Sequence, residues 1–211
     1  MHIAEGVLTT PVLISGAFIA FAGTVVGLSK TKIEDIPKTA VFASAFFVAS
    51  LVHIPLGVGS VHLMLNGLLG ILLGWAAVPA ILTALFLQAI LFQFGGLTAL
   101  GVNTVVMATP AVICYYLFRK LVLVSKNRAS YISIVSAFLC GAFAILLSAL
   151  ILAFCLMLSG DEFKAVAGIA IIVHIPIMVV EGIVTCVCIS FVKKVKPEIL
   201  YIFDKQKESK I

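Results

Sequence analysis

Seven long apolar runs, joined by short connections that sort the basic residues by side, constrain this chain more than any other feature. The runs cover residues 11–28, 39–53, 60–75, 76–93, 105–118, 132–158 and 165–192. Only 11% of the residues are charged and 63% are hydrophobic, whereas a soluble domain carries about 25% charged residues. Runs of this length and polarity read as membrane-spanning helices. The expected architecture is therefore an all-α integral membrane protein of about seven transmembrane helices. Residues 1–211 form one domain with nothing left over for a soluble catalytic unit.

The charges give that bundle a direction. Lys30, Lys32 and Lys38 share one connection, and Arg119, Lys120, Lys126 and Arg128 share another. Lys193, Lys194, Lys196, Lys205, Lys207 and Lys210 sit at the C-terminal end, while Lys164 alone falls on the opposite face. The positive-inside rule then places the N-terminus outside and the C-terminus in the cytoplasm. The basic tail, 193–211, reads as a topology anchor against anionic lipid, with no nucleic-acid partner. Glu5 and the lack of a basic leader segment argue against a signal peptide. Cys114, Cys140, Cys155, Cys186 and Cys188 all lie in apolar runs and read as small packing residues, not a disulfide framework. Cys186 and Cys188, two apart on a helix, point away from each other.

Two runs are short. Residues 39–53 and 105–118 number fifteen and fourteen, against about 20 for a full crossing. Each adjoins a glycine-rich stretch on the outer side, Pro55-Leu56-Gly57-Val58-Gly59 and Gly95-Gly96-Leu97-Thr98-Ala99-Leu100-Gly101-Val102-Asn103. Irregular backbone at membrane depth is tolerated where protein buries it or it lines a cavity, so the breaks mark a candidate substrate site; tight outer loops are the alternative reading.

The chemistry begins at the first two residues. The Met1 amine, the His2 peptide nitrogen and the His2 imidazole can chelate one metal ion once the amide is deprotonated. Such a nitrogen-rich, near-planar set suits Ni(II), Cu(II) or Co(II) and not Mg or Ca. The fourth ligand must come from elsewhere. All four histidines, His2, His53, His62 and His174, fall in the outer half on this topology, as do Asn66, Gln88, Gln93 and Asn103. His62 is the leading fourth ligand. It is expected to open a helix, with Asn66 one turn on and sharing its face. His53, just before Ile54-Pro55, reads more as a structural imidazole bonding freed backbone groups than as a ligand. His174 and Glu181 stand two turns apart on one helix face. Glu181 is expected near mid-membrane with no Lys or Arg at its depth. Hydrogen bonding to a group such as Asn103 or Gln88, and a part in metal or proton movement, are both open. There is no Gly-x4-Gly-Lys-[Ser/Thr] loop, no His-Glu-x2-His helix and no Gly-x-Ser-x-Gly elbow. The expectation is a non-catalytic chain without a resident cofactor.

Several of these segments resemble a known family. Met1-His2-Ile3-x-Glu5-Gly6-x-Leu8, Gly59-Ser60-Val61-His62, Phe92-x2-Gly95-Gly96-Leu97-x2-Leu100-Gly101-x-Asn103, and His174-Ile175-Pro176 followed by Glu181-Gly182 are similar to the CbiM/NikM family. Its members are the membrane-embedded substrate-binding subunits (S components) of energy-coupling factor transporters for cobalt and nickel. The resemblance covers the chain up to its tail. It implies an N-terminal metal-binding segment, residues 1–10, tucked into the protein from outside. The ion is then held by the Met1 amine, the His2 amide nitrogen and side chain, and His62, with His53, Asn66, Asn103, His174 and Glu181 as outer-shell or pathway residues. It further implies partners: a pair of cytoplasmic ABC-type ATPases, a transmembrane coupling subunit and a small accessory membrane subunit, in a bacterial or archaeal cell (inner) membrane. The cargo is Ni2+ or Co2+, for nickel enzymes or cobalamin biosynthesis, and four coplanar nitrogens lean slightly to nickel. The alternative is a stand-alone proton-coupled secondary transporter with His174 and Glu181 as its relay.

Overall fold

The computed structural model describes residues 3–56, 59–124 and 130–200. These form seven α-helices and one small hairpin. Helix α1 spans Thr10–Lys30 and α2 spans Ile36–Ala49. Strands β1, His53–Leu56, and β2, Gly59–His62, pair antiparallel with His53 opposite His62. Then come α3 (Asn66–Leu73), a 3₁₀ turn at Gly74–Ala76, α4 (Ala77–Phe92), α5 (Leu100–Val124), α6 (Ser130–Ser159) and α7 (Lys164–Val195). Five stretches, Thr10–Lys30, Asn66–Phe92, Leu100–Leu123, Tyr131–Ser159 and Asp161–Val195, are long and apolar enough to cross a membrane. Residues such as Phe18, Phe21, Ile172 and Phe191 are more than half exposed, which suits helices whose solvent is lipid.

Three sequence expectations need correction. The second and third runs, 39–53 and 60–75, are not helical throughout, because α2 stops at Ala49 and α3 starts only at Asn66. Pro55 cannot donate to a helix or to a ladder, and glycines are poor helix formers, so the segment between them pairs as a short hairpin instead. His62 therefore ends a strand and does not open a helix, and it shares no helix face with Asn66. The fifth run is not short either: α5 has 25 residues and contains Asn103 in its first turn. Gly101 lies inside this helix for packing, since a Cβ there would stand 2.5 Å from the Ala17 Cα of α1. Pro110 and Pro176 both lie inside helices without ending them. Of the tail expected over 193–211, Lys193 and Lys194 belong to the last turn of α7, and residues 201–211 lie outside the described residues.

α3 is the centre of the molecule, and all eight of its residues are buried. It runs parallel to α5 in fixed register. Asn66 meets Met107, Gly70 meets Ala111 and Gly74 meets Tyr115, an offset of 41 each time. Gly74, with φ +59°, turns the chain so that α4 leads back toward α2, where Gln88 reaches Ser50 and Phe92 packs on Phe47. Small residues allow these approaches, because without a hydrophobic drive between helices close backbone packing carries the association. Gly67 sits against Gly141 and Ala144 of α6, and Gly16 of α1 sits against Val102. A second apolar cluster joins Ile3, Leu8 and Val12 to Val102, Val106, Leu152 and Leu156, so the N-terminal segment is part of the core.

Among the described residues, Lys30, Arg119 and Lys193 lie at one end, as expected from their order in the sequence. Lys30 lies over the Trp75 ring at 4.4 Å, Arg119 donates to the Tyr115 hydroxyl at 3.3 Å, and Lys193 donates to Ser133 at 3.2 Å. Lys164 sits at the far end, paired with Asp161 at 2.9 Å.

The helix contacts define a mutational contrast. A Cβ on Gly70 would lie 2.0 Å from the Ala111 carbonyl oxygen, whereas one on Gly168 meets nothing within 4 Å. Overpacking typically costs about 1–3 kcal/mol, and here the obstacle is backbone. Gly70→Ala should lower the melting temperature in detergent sharply or abolish monodisperse protein, while Gly168→Ala should leave melting unchanged.

Candidate metal centre

Two polar devices away from the basic end of the bundle fix the N-terminal segment and the turn after the hairpin. The first holds the N-terminal segment. Ile3 is 4% exposed, and its N–H donates to Asn103 Oδ1 at 2.9 Å while its carbonyl accepts from Asn103 Nδ2 at 3.1 Å. A carboxamide presents one acceptor and two donors, so Asn103 pairs with the main chain as a strand neighbour would. Asn103 is itself buried in the first turn of α5. Two further bonds hold the segment below this point: Thr98 N–H donates to Glu5 Oε1 at 3.1 Å, and Thr9 N–H donates to Ser159 Oγ at 3.3 Å. Gly96, at φ +75°, is the seat for Glu5, since a Cβ there would fall 2.0 Å from the Glu5 Cγ. Beside them lies a cavity of about 360 Å³ lined by Ala4, Glu5, Gln93, Gly95, Gly96 and Leu97.

The second device holds the turn after the hairpin. Helix α3 begins inside the bundle, where its first N–H groups have no water and no helical partner. Glu181 of α7 supplies acceptors to the two residues that lead into α3. Its carboxyl oxygens accept from Met64 N–H and from Leu65 N–H, the latter at 3.0 and 3.1 Å. Leu65 stands at φ +48°, a left-handed conformation that is uncommon for a branched side chain. Asn66 continues the cap: its Oδ1 accepts from Gly67 N–H at 2.9 Å, and its Nδ2 donates to Ser148 Oγ at 2.8 Å and to the Met107 carbonyl at 3.4 Å. Glu181 therefore finds its partners in backbone amides. Asn103 is committed to Ile3, and Gln88 donates to Ser50 at 2.5 Å, so neither is its partner.

His62 is buried, two residues before Met64, and its Nδ1 lies 3.0 Å from the Leu63 carbonyl oxygen. A carbonyl only accepts, so Nδ1 carries a proton, and in the neutral ring the lone pair then falls on Nε2, the tautomer suited to a metal ligand. His174, also buried, bonds through Nδ1 to the Ala170 carbonyl at 2.5 Å and has the same tautomer. It stands on α7 two turns before Glu181. His53 enters through its backbone, as the ladder partner of His62. Met1 and His2 lie outside the described residues. Among the described residues, no group of three or more His, Cys, Asp and Glu side chains converges on one point. All five cysteines are free thiols, and Cys114 and Cys140 bond each other's carbonyls across α5 and α6.

Sequence reasoning missed the anchoring role of Glu5 and the partners Ser148 and Ser159. The signal for the first was there: an acidic residue beside Gly6 and a Gly95-Gly96 pair, all three glycines at positive φ, which calls for a seat and something seated.

The chain belongs to the CbiM family, described as the cobalt uptake substrate-specific transmembrane region, whose model matches residues 2–199. A Haemophilus influenzae protein described as a metal transport protein is 44% identical over 210 residues, covering 95% of this chain and 97% of that one. A fused cobalt transport protein CbiMQ of Methanocorpusculum labreanum is 27% identical over the full chain, which spans 38% of it. The crystal structure of a transition metal transporter superposes with a TM-score of 0.75 at 26% identity, covering 92% of this chain and 93% of that one.

The Glu181 cap is testable by stability. Leaving a buried amide unsatisfied costs about 1–3 kcal/mol. Glu181→Leu, which orphans two amides, should lower the melting temperature well beyond Glu181→Gln, which keeps one acceptor oxygen. The fluorescence of Trp75, the single tryptophan, reads the transition.

Proposed function

We propose that this chain is the substrate-binding membrane subunit of an energy-coupling factor transporter importing Ni2+ or Co2+. The ion is held by the Met1 amine, the His2 amide nitrogen and imidazole, and His62. The observation that carries this reading is the two-way clamp of Asn103 on Ile3, which buries the main chain one residue after His2. A segment used only as a connection would not be held by its backbone in the core. The family membership and the tautomer of His62 support the same reading.

In this reading Asn103 and Glu181 are positioning residues. One fixes the N-terminal chelate and the other fixes the turn that presents His62. Outer-shell groups of this kind typically change metal affinity by about 10–100-fold. The bundle crosses the membrane seven times, with α2 and α3 as short crossings, and the basic end lies in the cytoplasm, which puts the N-terminus outside. The chain performs no reaction of its own. ATP hydrolysis belongs to ABC-type ATPases joined through a transmembrane coupling subunit and a small accessory subunit, in a bacterial or archaeal cell membrane. The fused relative, of which this chain spans 38%, supports a partner of this kind. The relay reading is disfavoured because Glu181 and His174 are each bonded to main chain.

Calorimetry with Ni2+ and Co2+ tests the proposal. An Ala inserted between Met1 and His2 keeps every side chain but changes the chelate rings, so tight binding should collapse. Binding that survives insertion would sink the N-terminal site. Uptake into vesicles by the lone chain under a pH gradient would revive the relay. Asn103→Leu should weaken binding about 10–100-fold.

Affinity should also fall with acidity. Both imidazoles must be neutral and the amide must lose its proton, so binding weakens as the solution is acidified from neutrality. Titrations from neutrality downward check the sign.

A further inference from the structure

Below the close contact of Gly16 with Val102 and of Gly101 with Ala17, α1 and α5 part and leave a groove of about 410 Å³ on the lipid side. One face of each helix walls it, with Ile19, Ala22 and Val26 on α1 and Val105, Thr109 and Val112 on α5. These spacings of three and four keep each set on one side of its helix. The α1 wall runs from Phe18 to Val26, about 12 Å at ~1.5 Å per residue.

The groove changes character at one end. One turn past Val26 and Val112, the same faces carry Lys30 and Tyr116, and Trp75 closes the space between the helices. The Lys30 Nζ stands 4.4 Å from the Trp75 ring centre, and Trp75 Nε1 donates to the Tyr116 hydroxyl oxygen at 2.7 Å. Another turn along α5 brings Arg119 and Lys120. An apolar slot therefore ends in a cation, a phenol and further basic side chains, at the end of the bundle where the basic residues gather.

That outline complements an acyl chain joined to an anionic headgroup. Basic pockets between transmembrane helices hold anionic headgroups, and Trp and Tyr sit at the same depth. A transmembrane helix is about 10–12 Å across, whereas 410 Å³ falls in the range of a single small ligand, about 300–1,000 Å³. Free phosphate would leave the apolar slot unused. We propose that the α1–α5 groove is a binding site for one anionic phospholipid, its acyl chain between the helices and its phosphate at Lys30. This site is independent of the metal centre.

Trp75, the chain's one tryptophan, reports on the groove directly. The full chain would be reconstituted in phosphatidylcholine vesicles containing phosphatidylglycerol or phosphatidylcholine brominated near the headgroup end of the acyl chain, and quenching of Trp75 measured. Brominated phosphatidylglycerol should quench at about fivefold lower mole fraction than brominated phosphatidylcholine, the scale of one basic side chain near a charged lipid. Lys30→Gln should erase that preference, and Ala22→Phe should erase it by filling the slot. Both positions are exposed, so the fold should tolerate the changes. Equal quenching by the two lipids, or a preference that survives either substitution, would overturn the proposal. So would a Trp75 shielded from both lipids in a protein that runs as a dimer, since a second copy would then fill the groove.

Discussion

A helix that starts inside a membrane bundle must find acceptors for its first N–H groups, and the rest of this structure is arranged around that need. α3 is eight residues long and wholly buried. A helix so short gains little from its own hydrogen bonds, so its place depends on what surrounds it. Glu181 takes the amides of Met64 and Leu65, and Asn66 takes that of Gly67. Gly67 and Gly70 let α6 and α5 close on it at backbone distance. The cap fixes where α3 begins, α3 fixes the packing of α5 and α6, and α5 carries Asn103. A single carboxyl on α7 is thus linked through packing to the clamp on Ile3.

The N-terminal segment is held in a different manner. Ile3 and Leu8 contribute apolar burial, but the segment has no helical bonds before Thr10, and its anchors are Asn103, Thr98 with Glu5, and Ser159 with Thr9. Individual hydrogen bonds contribute about 0.5–1.5 kcal/mol. Such a segment is secure while docked, yet its opening breaks few contacts compared with any helix of the bundle. Local openings of this kind lie at the low end of a protein's stability range. A ligand contributed by that segment would join its capture and release to a small local motion, leaving the helices undisturbed.

Much of this was legible in the sequence, and the failures share a cause. The apolar runs anticipated a helical bundle with several membrane-length helices, because length and apolarity are local properties. Lysine and arginine order anticipated the basic end for the same reason. Runs 39–53 and 60–75 misled because the apolar hairpin over 53–62 has the hydropathy of a helix end, and periodicity cannot separate the two in so few residues. Gly101 was read as part of a break because a glycine at a helix contact looks, in one dimension, like a glycine in a loop. The partners of Glu181 were out of reach altogether. Backbone amides leave no trace in side-chain spacing, and Met64 and Glu181 are 117 residues apart.

The same logic separates what the two ends of the bundle can do. Away from the basic end, three buried polar groups are spent on holding main chain: Asn103 on Ile3, Glu181 on Met64 and Leu65, His174 on Ala170. Groups so committed are suited to holding a ligand's carriers in place and are poorly suited to shuttling protons, which requires them to exchange partners. At the basic end the polar side chains instead meet one another or the surface, as with Lys30, Trp75 and Tyr116. In the function proposed above, one end fixes a small, dehydrated charge by geometry, and the other meets an anionic headgroup by charge and aromatic contact. The apolar length between them, in which α3 and α4 double back on each other, keeps those two electrostatic environments apart.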